Sequence, residues 1–162
     1  MNRPAAGLDY VRFGHSALFG DYVDIIHANG GRLLKVVTNL PDLPRPGDGR
    51  RFADDLAAMN GWLAHAKGAP EIARQDIDAL APAAGETYLI GFRGEQLRPL
   101  RDRLKKDFGL VFSALCHPAA AISPTAGIGE GAIIGANSVL GSFSQAGEFC
   151  LLGHVEPRPQ KV

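Results

Sequence analysis

Few residues in this 162-residue chain can do chemistry, and their spacing narrows what that chemistry is. Gly14-His15-Ser16 follows an apolar run and precedes a helical pattern. Such a turn offers free backbone N–H groups and a positive helix dipole to a phosphate. Gly14 reads equally as a residue the turn alone requires, and His15 as an ordinary loop histidine. Histidine suits general acid–base work because it titrates near neutrality. Of the five histidines, His27 falls inside the first helical pattern and His65 near the end of the second. Cys116 and Cys150 are the only cysteines, which makes neither a disulfide framework nor a zinc cluster. Cys150 reads as a small core residue rather than a nucleophile. The chain contains no G-x-S-x-G, no P-loop and no paired metal-ligand spacing, so no metal is expected.

The elements that must hold these residues read as α/β. Residues 8–13 alternate as a strand, and Ser16 is placed to cap a helix running to about Ala28. Gly30-Gly31 stops it, and 33–38 forms a second strand. This is a βαβ unit, so its strands should be parallel. A Pro- and Gly-rich loop over 40–49 leads to a helix over 51–66. Residues 87–90 read as a third strand ending at Gly91, 98–107 as a helix with Pro99 in its first turn, and 110–115 as another strand.

From Ile122 the chain divides into hexads: ISPTAG, IGEGAI, IGANSV, LGSFSQ, AGEFCL, LGHVEP. The first positions are Ile122, Ile128, Ile134, Leu140, Ala146 and Leu152, and after the first hexad the second position is always Gly. A fixed period with one aliphatic residue per repeat predicts a stacked coil of short parallel strands, with glycine at close turns. Three hexads would close one triangular turn, so 122–157 supplies about two turns.

Composition narrows the class. Lys+Arg and Asp+Glu both number 17, giving a net charge of zero, which argues against nucleic-acid or anionic-membrane binding. No apolar run approaches a membrane span, and the N-terminus lacks the apolar stretch of a signal peptide, so a cytoplasmic protein is expected.

The residues from Tyr88 to Val139, above all Cys116-His117-Pro118-Ala119-Ala120-Ala121-Ile122-Ser123-Pro124, resemble the bacterial sugar O-/N-acyltransferases. That family includes sialic-acid O-acetyltransferases and the N-acetyltransferases of bacillosamine and perosamine. The run is similar to the family's HPxAxIxP approach to its β-helix. The resemblance implies a Rossmann-like nucleotide-sugar-binding domain over 1–115 and a short left-handed parallel β-helix over 116–162. It implies acetyl-CoA as acyl donor, a nucleotide sugar as ligand and a homotrimer. The Gly14-His15 turn resembles the family's GxxGH loop, with Arg12 and Phe13 where small residues are expected.

Carried over from the family, the nucleotide-sugar-binding residues are Gly14, His15, Ser16, Asn39, Gly91 and Arg98. Chemistry agrees in part: Asn39 can bond a ribose or base edge, and Arg98 can reach a phosphate, though alone it reads as a surface residue. The family's general-base histidine falls in 158–162, which holds no histidine, and His154 stands one hexad early. The expected function is therefore acetyl transfer from acetyl-CoA to an amino or hydroxyl group of a nucleotide-linked sugar, with His154 as the candidate base. The alternative is a truncated, inactive relative that binds a nucleotide sugar or serves assembly.

Overall fold

The computed structural model describes residues 7–91 and 94–153. Four parallel strands form the central sheet in the order β3-β2-β1-β4: β1 Asp9–Phe13, β2 Arg32–Thr38, β3 Ala73–Asp76 and β4 Glu86–Ile90. The expected βαβ unit is present, with α1 over Phe19–Ala28 joining β1 to β2. The expected Ser16 cap does not form: Leu18 is the N-cap, without a side-chain cap, and Ser16 closes the turn before it, its carbonyl accepting from Phe19 N at 3.1 Å. The chain leaves it through Gly30 at φ +70°.

The second helix, α2 at Phe52–Trp62, continues as a π turn over Leu63–Lys67 and stops at left-handed Gly68. Its N-terminus is held from the preceding loop: Asp42 accepts from Phe52 N at 2.7 Å and Ala53 N at 3.0 Å. Strand β3 was not expected, because its sequence, ARQD, carries no apolar alternation and its residues are mostly exposed at the sheet edge. The strand expected over 110–115 shrinks to a parallel bridge from Phe112 to Tyr88 and the two-residue β5, Leu115–Cys116. The third helix, α3, spans Leu97–Phe108.

Side chains leave β1 alternately toward two cores. Tyr10 packs with α1 and α2, whereas Val11 and Phe13 pack with Leu100 and Leu104 of α3. The helices therefore lie on both faces of the sheet.

The hexads wind as expected. Short strands pair in parallel at a spacing of 18 residues, three hexads per turn: β5 with β8 (Ile133–Ile134), β8 in turn with β11 (Leu151–Leu152), β6 (Ala121–Ile122) with β9 (Val139–Leu140), and β7 (Gly127–Ile128) with β10 (Gln145–Ala146). Ile134, Leu140 and Ala146 fill the interior, with Ile122, Ile128 and Leu152 packed against them. The corners overturn one detail. Among the described hexad positions the left-handed residues are Gly131, Asn137, Phe143 and Phe149, each at a fourth position, and, of the second-position glycines, Gly153 alone. The coil is anchored on the sheet layer by Leu115 and Ile133, which join the α1 core, by Asn29 Nδ2 donating to Cys116 O at 2.8 Å, and by Lys105 pairing with Glu130 at 2.6 Å.

Candidate functional site

The sheet order places its topological switch point between β1 and β4, whose carboxyl ends border a crevice of the kind that binds ligands in open α/β sheets. The ladder runs to the last residues. Gly14 N donates to Val37 O and Gly91 N to Phe13 O, each at 2.8 Å. Gly14, Ser16 and Gly91 are thereby brought together, and Ser16 Oγ donates to Gly91 O at 2.6 Å.

Beneath this junction lies Arg12, wholly buried. Its Nη1 donates to Gly14 O at 2.8 Å, and its Nη2 to Ser16 Oγ at 3.1 Å and Gly91 O at 2.5 Å. The guanidinium sits 4.6 Å from the centre of the Tyr22 ring. A Cβ on Gly91 would overlap it, so Gly91 is needed for close approach rather than for an unusual φ. Among the described residues Arg12 has no carboxylate partner, and its buried Nε makes no hydrogen bond. Burial lowers its pKa to about 10, with Tyr22 opposing the shift. The arginine therefore stays charged at neutral pH.

His15 stacks on Phe52 at 5.0 Å between ring centres. Burial lowers its pKa, and the Arg12 and Arg74 charges push the same way against Asp42 and the Leu40 carbonyl. It is neutral at physiological pH, and its buried Nε2 has no partner among the described residues. Asp42, which the sequence did not single out, ties this corner together by capping α2 and pairing with Arg74 at 3.2 Å. No short motif marks it, because its partners lie 10 and 32 residues away.

Asn39 follows β2 half-buried, at the same edge of the sheet. Arg98 lies elsewhere. It is exposed on α3, lining a cleft of about 760 Å³ with Arg101, Glu148 and Phe149. His154 lies outside the described residues. A cleft of about 630 Å³ separates α1 from α2, floored by Phe19, Gly20 and Met59 and rimmed by Trp62, Arg45 and Asp55. Another, of about 410 Å³, opens where α1 meets the coil, beside Asp21, Asp24, His117 and Asn137. His117 Nδ1 accepts from Ala119 N at 3.0 Å, so the neutral ring carries its proton on Nε2. Among the described residues, no cluster of three or more His, Cys, Asp or Glu could hold a metal ion, and no helix is long and apolar enough to cross a membrane.

No family model matches the sequence, and no curated protein matches it at a significant level. Solved structures do match. PerB from Caulobacter crescentus, in complex with CoA and GDP-perosamine, superposes with a TM-score of 0.58 at 20% identity, covering 92% of this chain and 61% of that one. A point variant of perosamine N-acetyltransferase from Caulobacter crescentus, with the same two ligands, gives 0.56 at 17% identity with the same coverage. The chain thus spans about three-fifths of the length of these structures, and it shares with them the fold of a parallel α/β sheet joined to a coil of short parallel strands.

Proposed function

We propose that this chain is a sugar acyltransferase: it transfers an acetyl group from acetyl-CoA to an amino or hydroxyl group of a nucleotide-linked sugar. The observation that carries this reading is the likeness of fold over 92% of the chain to a structure that holds both CoA and GDP-perosamine. In this reading residues 1–115 are a Rossmann-like nucleotide-sugar-binding domain, and 116–162 are a short left-handed β-helix. The Gly14–Ser16 turn and Gly91 receive the diphosphate and Asn39 the ribose or base, whereas Arg98, expected at a phosphate, lines the separate cleft on α3.

The chemistry is an attack by the sugar amine or hydroxyl on the thioester carbonyl. A base takes the nucleophile's proton, the new amide or ester bond forms, and the CoA thiolate leaves. His154 is the candidate base. Among the described histidines His117 is poorly suited, because its neutral form bears a proton on Nε2. The exposed Val139 and Phe143 on the coil favour a homotrimer, in which a neighbouring copy covers apolar surface that one chain leaves to solvent.

Calorimetric titration of the full chain with acetyl-CoA, and separately with a GDP-linked amino sugar, tests the proposal. Saturable binding of both is expected. No heat from either ligand at millimolar concentration refutes it. Sedimentation tests the trimer, which a clean monomer at high concentration would exclude.

A further inference from the structure

An unpaired buried charge is expensive, because the interior cannot replace the water it gives up. Arg12 is such a charge. It is fully buried, no carboxylate meets it among the described residues, and one of its nitrogens makes no hydrogen bond. Tyr22 and Phe19 offer it ring faces, and three oxygens accept from it, yet none of these carries a negative charge. The titratable groups that influence the adjoining His15 are Asp42 and Arg74, and those two already pair with each other.

The arginine also orients the turn above it. Gly14 O points inward to Nη1. The described chain has no cis peptide, and in a trans peptide the N–H lies opposite the carbonyl. His15 N–H is therefore directed out of the turn. Ser16 O likewise faces into α1, where it accepts from Phe19 N, so Ala17 N–H points away from the helix. Neither N–H has a partner among the described residues. A buried cation lies below, and free donors with the α1 dipole lie above.

We infer that Arg12 is the counter-charge for a doubly charged phosphate group bound at the β1–α1 turn, and that it sets the site's preference for a diphosphate over an uncharged nucleoside. This rests on the nucleotide-sugar reading and deepens it. Arg12 is a positioning residue. It acts through the Gly14 and Ser16 oxygens and through its field, without touching the ligand.

The full chain is titrated with inorganic pyrophosphate, GDP and guanosine, as wild type, Arg12→Met, Arg12→Lys and Ser16→Ala. Wild type is expected to bind GDP at least about tenfold more tightly than guanosine, the effect of one partly screened charge pair. Arg12→Met should lose at least about tenfold for pyrophosphate and GDP and leave guanosine unchanged, and Arg12→Lys should recover part of the loss. Equal weakening of charged and uncharged ligands, or pyrophosphate binding indifferent to Arg12→Met, overturns the inference. Should Arg12→Met fail to fold, the wild-type ratio of GDP to guanosine decides, and a ratio near one refutes it. The two readings fail separately. GDP-sugar and acetyl-CoA binding that survives Arg12→Met leaves the acyltransferase and removes this role. Arg12-dependent pyrophosphate binding with no response to acetyl-CoA does the reverse.

Discussion

Two glycines in the same slot of the hexad should respond to the same substitution with opposite sign. A Cβ on Gly129 would stand 2.6 Å from Glu148 N and 2.7 Å from the Gly147 carbonyl carbon, both backbone atoms of the next coil. That is roughly 1 Å inside ordinary contact, and no side-chain rotation relieves it. The coils would have to part where Gly127 N, Gly129 N and Phe149 N bridge them at 2.8–2.9 Å. Weakening those three bonds costs about 1 kcal/mol each, and overpacking adds about 1–3 kcal/mol, so Gly129→Ala should lose about 4–6 kcal/mol. Gly147 has no neighbour within 4 Å of its Cβ position and no left-handed φ. There alanine restricts the unfolded chain without a clash and should gain about 0.4–1 kcal/mol. Urea or thermal unfolding reads both. At about 2–4 °C per kcal/mol, the first variant should melt about 10–20 °C lower and the second slightly higher than wild type. Shifts of equal sign and similar size would refute the stacking argument, because chemistry and repeat position are shared and only the covering coil differs.

Gly91→Ala should destabilise by about 2–4 kcal/mol in wild type and by less than about 1 kcal/mol in an Arg12→Ala background, since the clash is with the guanidinium; equal losses in the two backgrounds would contradict that contact. Asp42→Ala should cost about 1–2 kcal/mol by uncapping α2. Burial pushes the Asp42 carboxyl up, but the N–H groups of Ala53 and Phe52 and the Arg74 charge outweigh it and hold its pKa below the usual range. Its stabilisation is thus present above the unfolded value, about pH 4, and is lost as pH falls through the folded one, so wild type and variant should converge in acid. Phe143→Asn should raise stability by about 0.5–1 kcal/mol, because Phe143 holds φ 61° while 82% exposed; a lower melting temperature in dilute solution would count against strain at that corner.

Local pattern carried most of the architecture. The βαβ unit was legible because apolar alternation gives way to helical periodicity and then to Gly30-Gly31. The coil was legible because every interior position recurs at six residues, and the pairing spacing of 18 follows from three hexads per turn. Strand β3 was not legible. ARQD forms a strand only because the edge of β2 offers it a ladder. Nor was the use of the hexad glycines, since whether a glycine serves φ or close approach depends on what the next coil places above it.

The candidate site divides in the same way. Gly14, His15 and Ser16 could be picked out because a glycine turn before a helix has a meaning independent of its surroundings. Sequence by itself determined most of the elements, the repeat and this turn, since each is encoded by residues near one another in the chain. Only the tertiary structure decided that Gly91, 75 residues from Ser16, closes the crevice, that Arg98 faces another cleft, and that Arg12 is an enclosed cation. A charge acquires its meaning from the groups that surround it, and those groups come together only when distant segments pack.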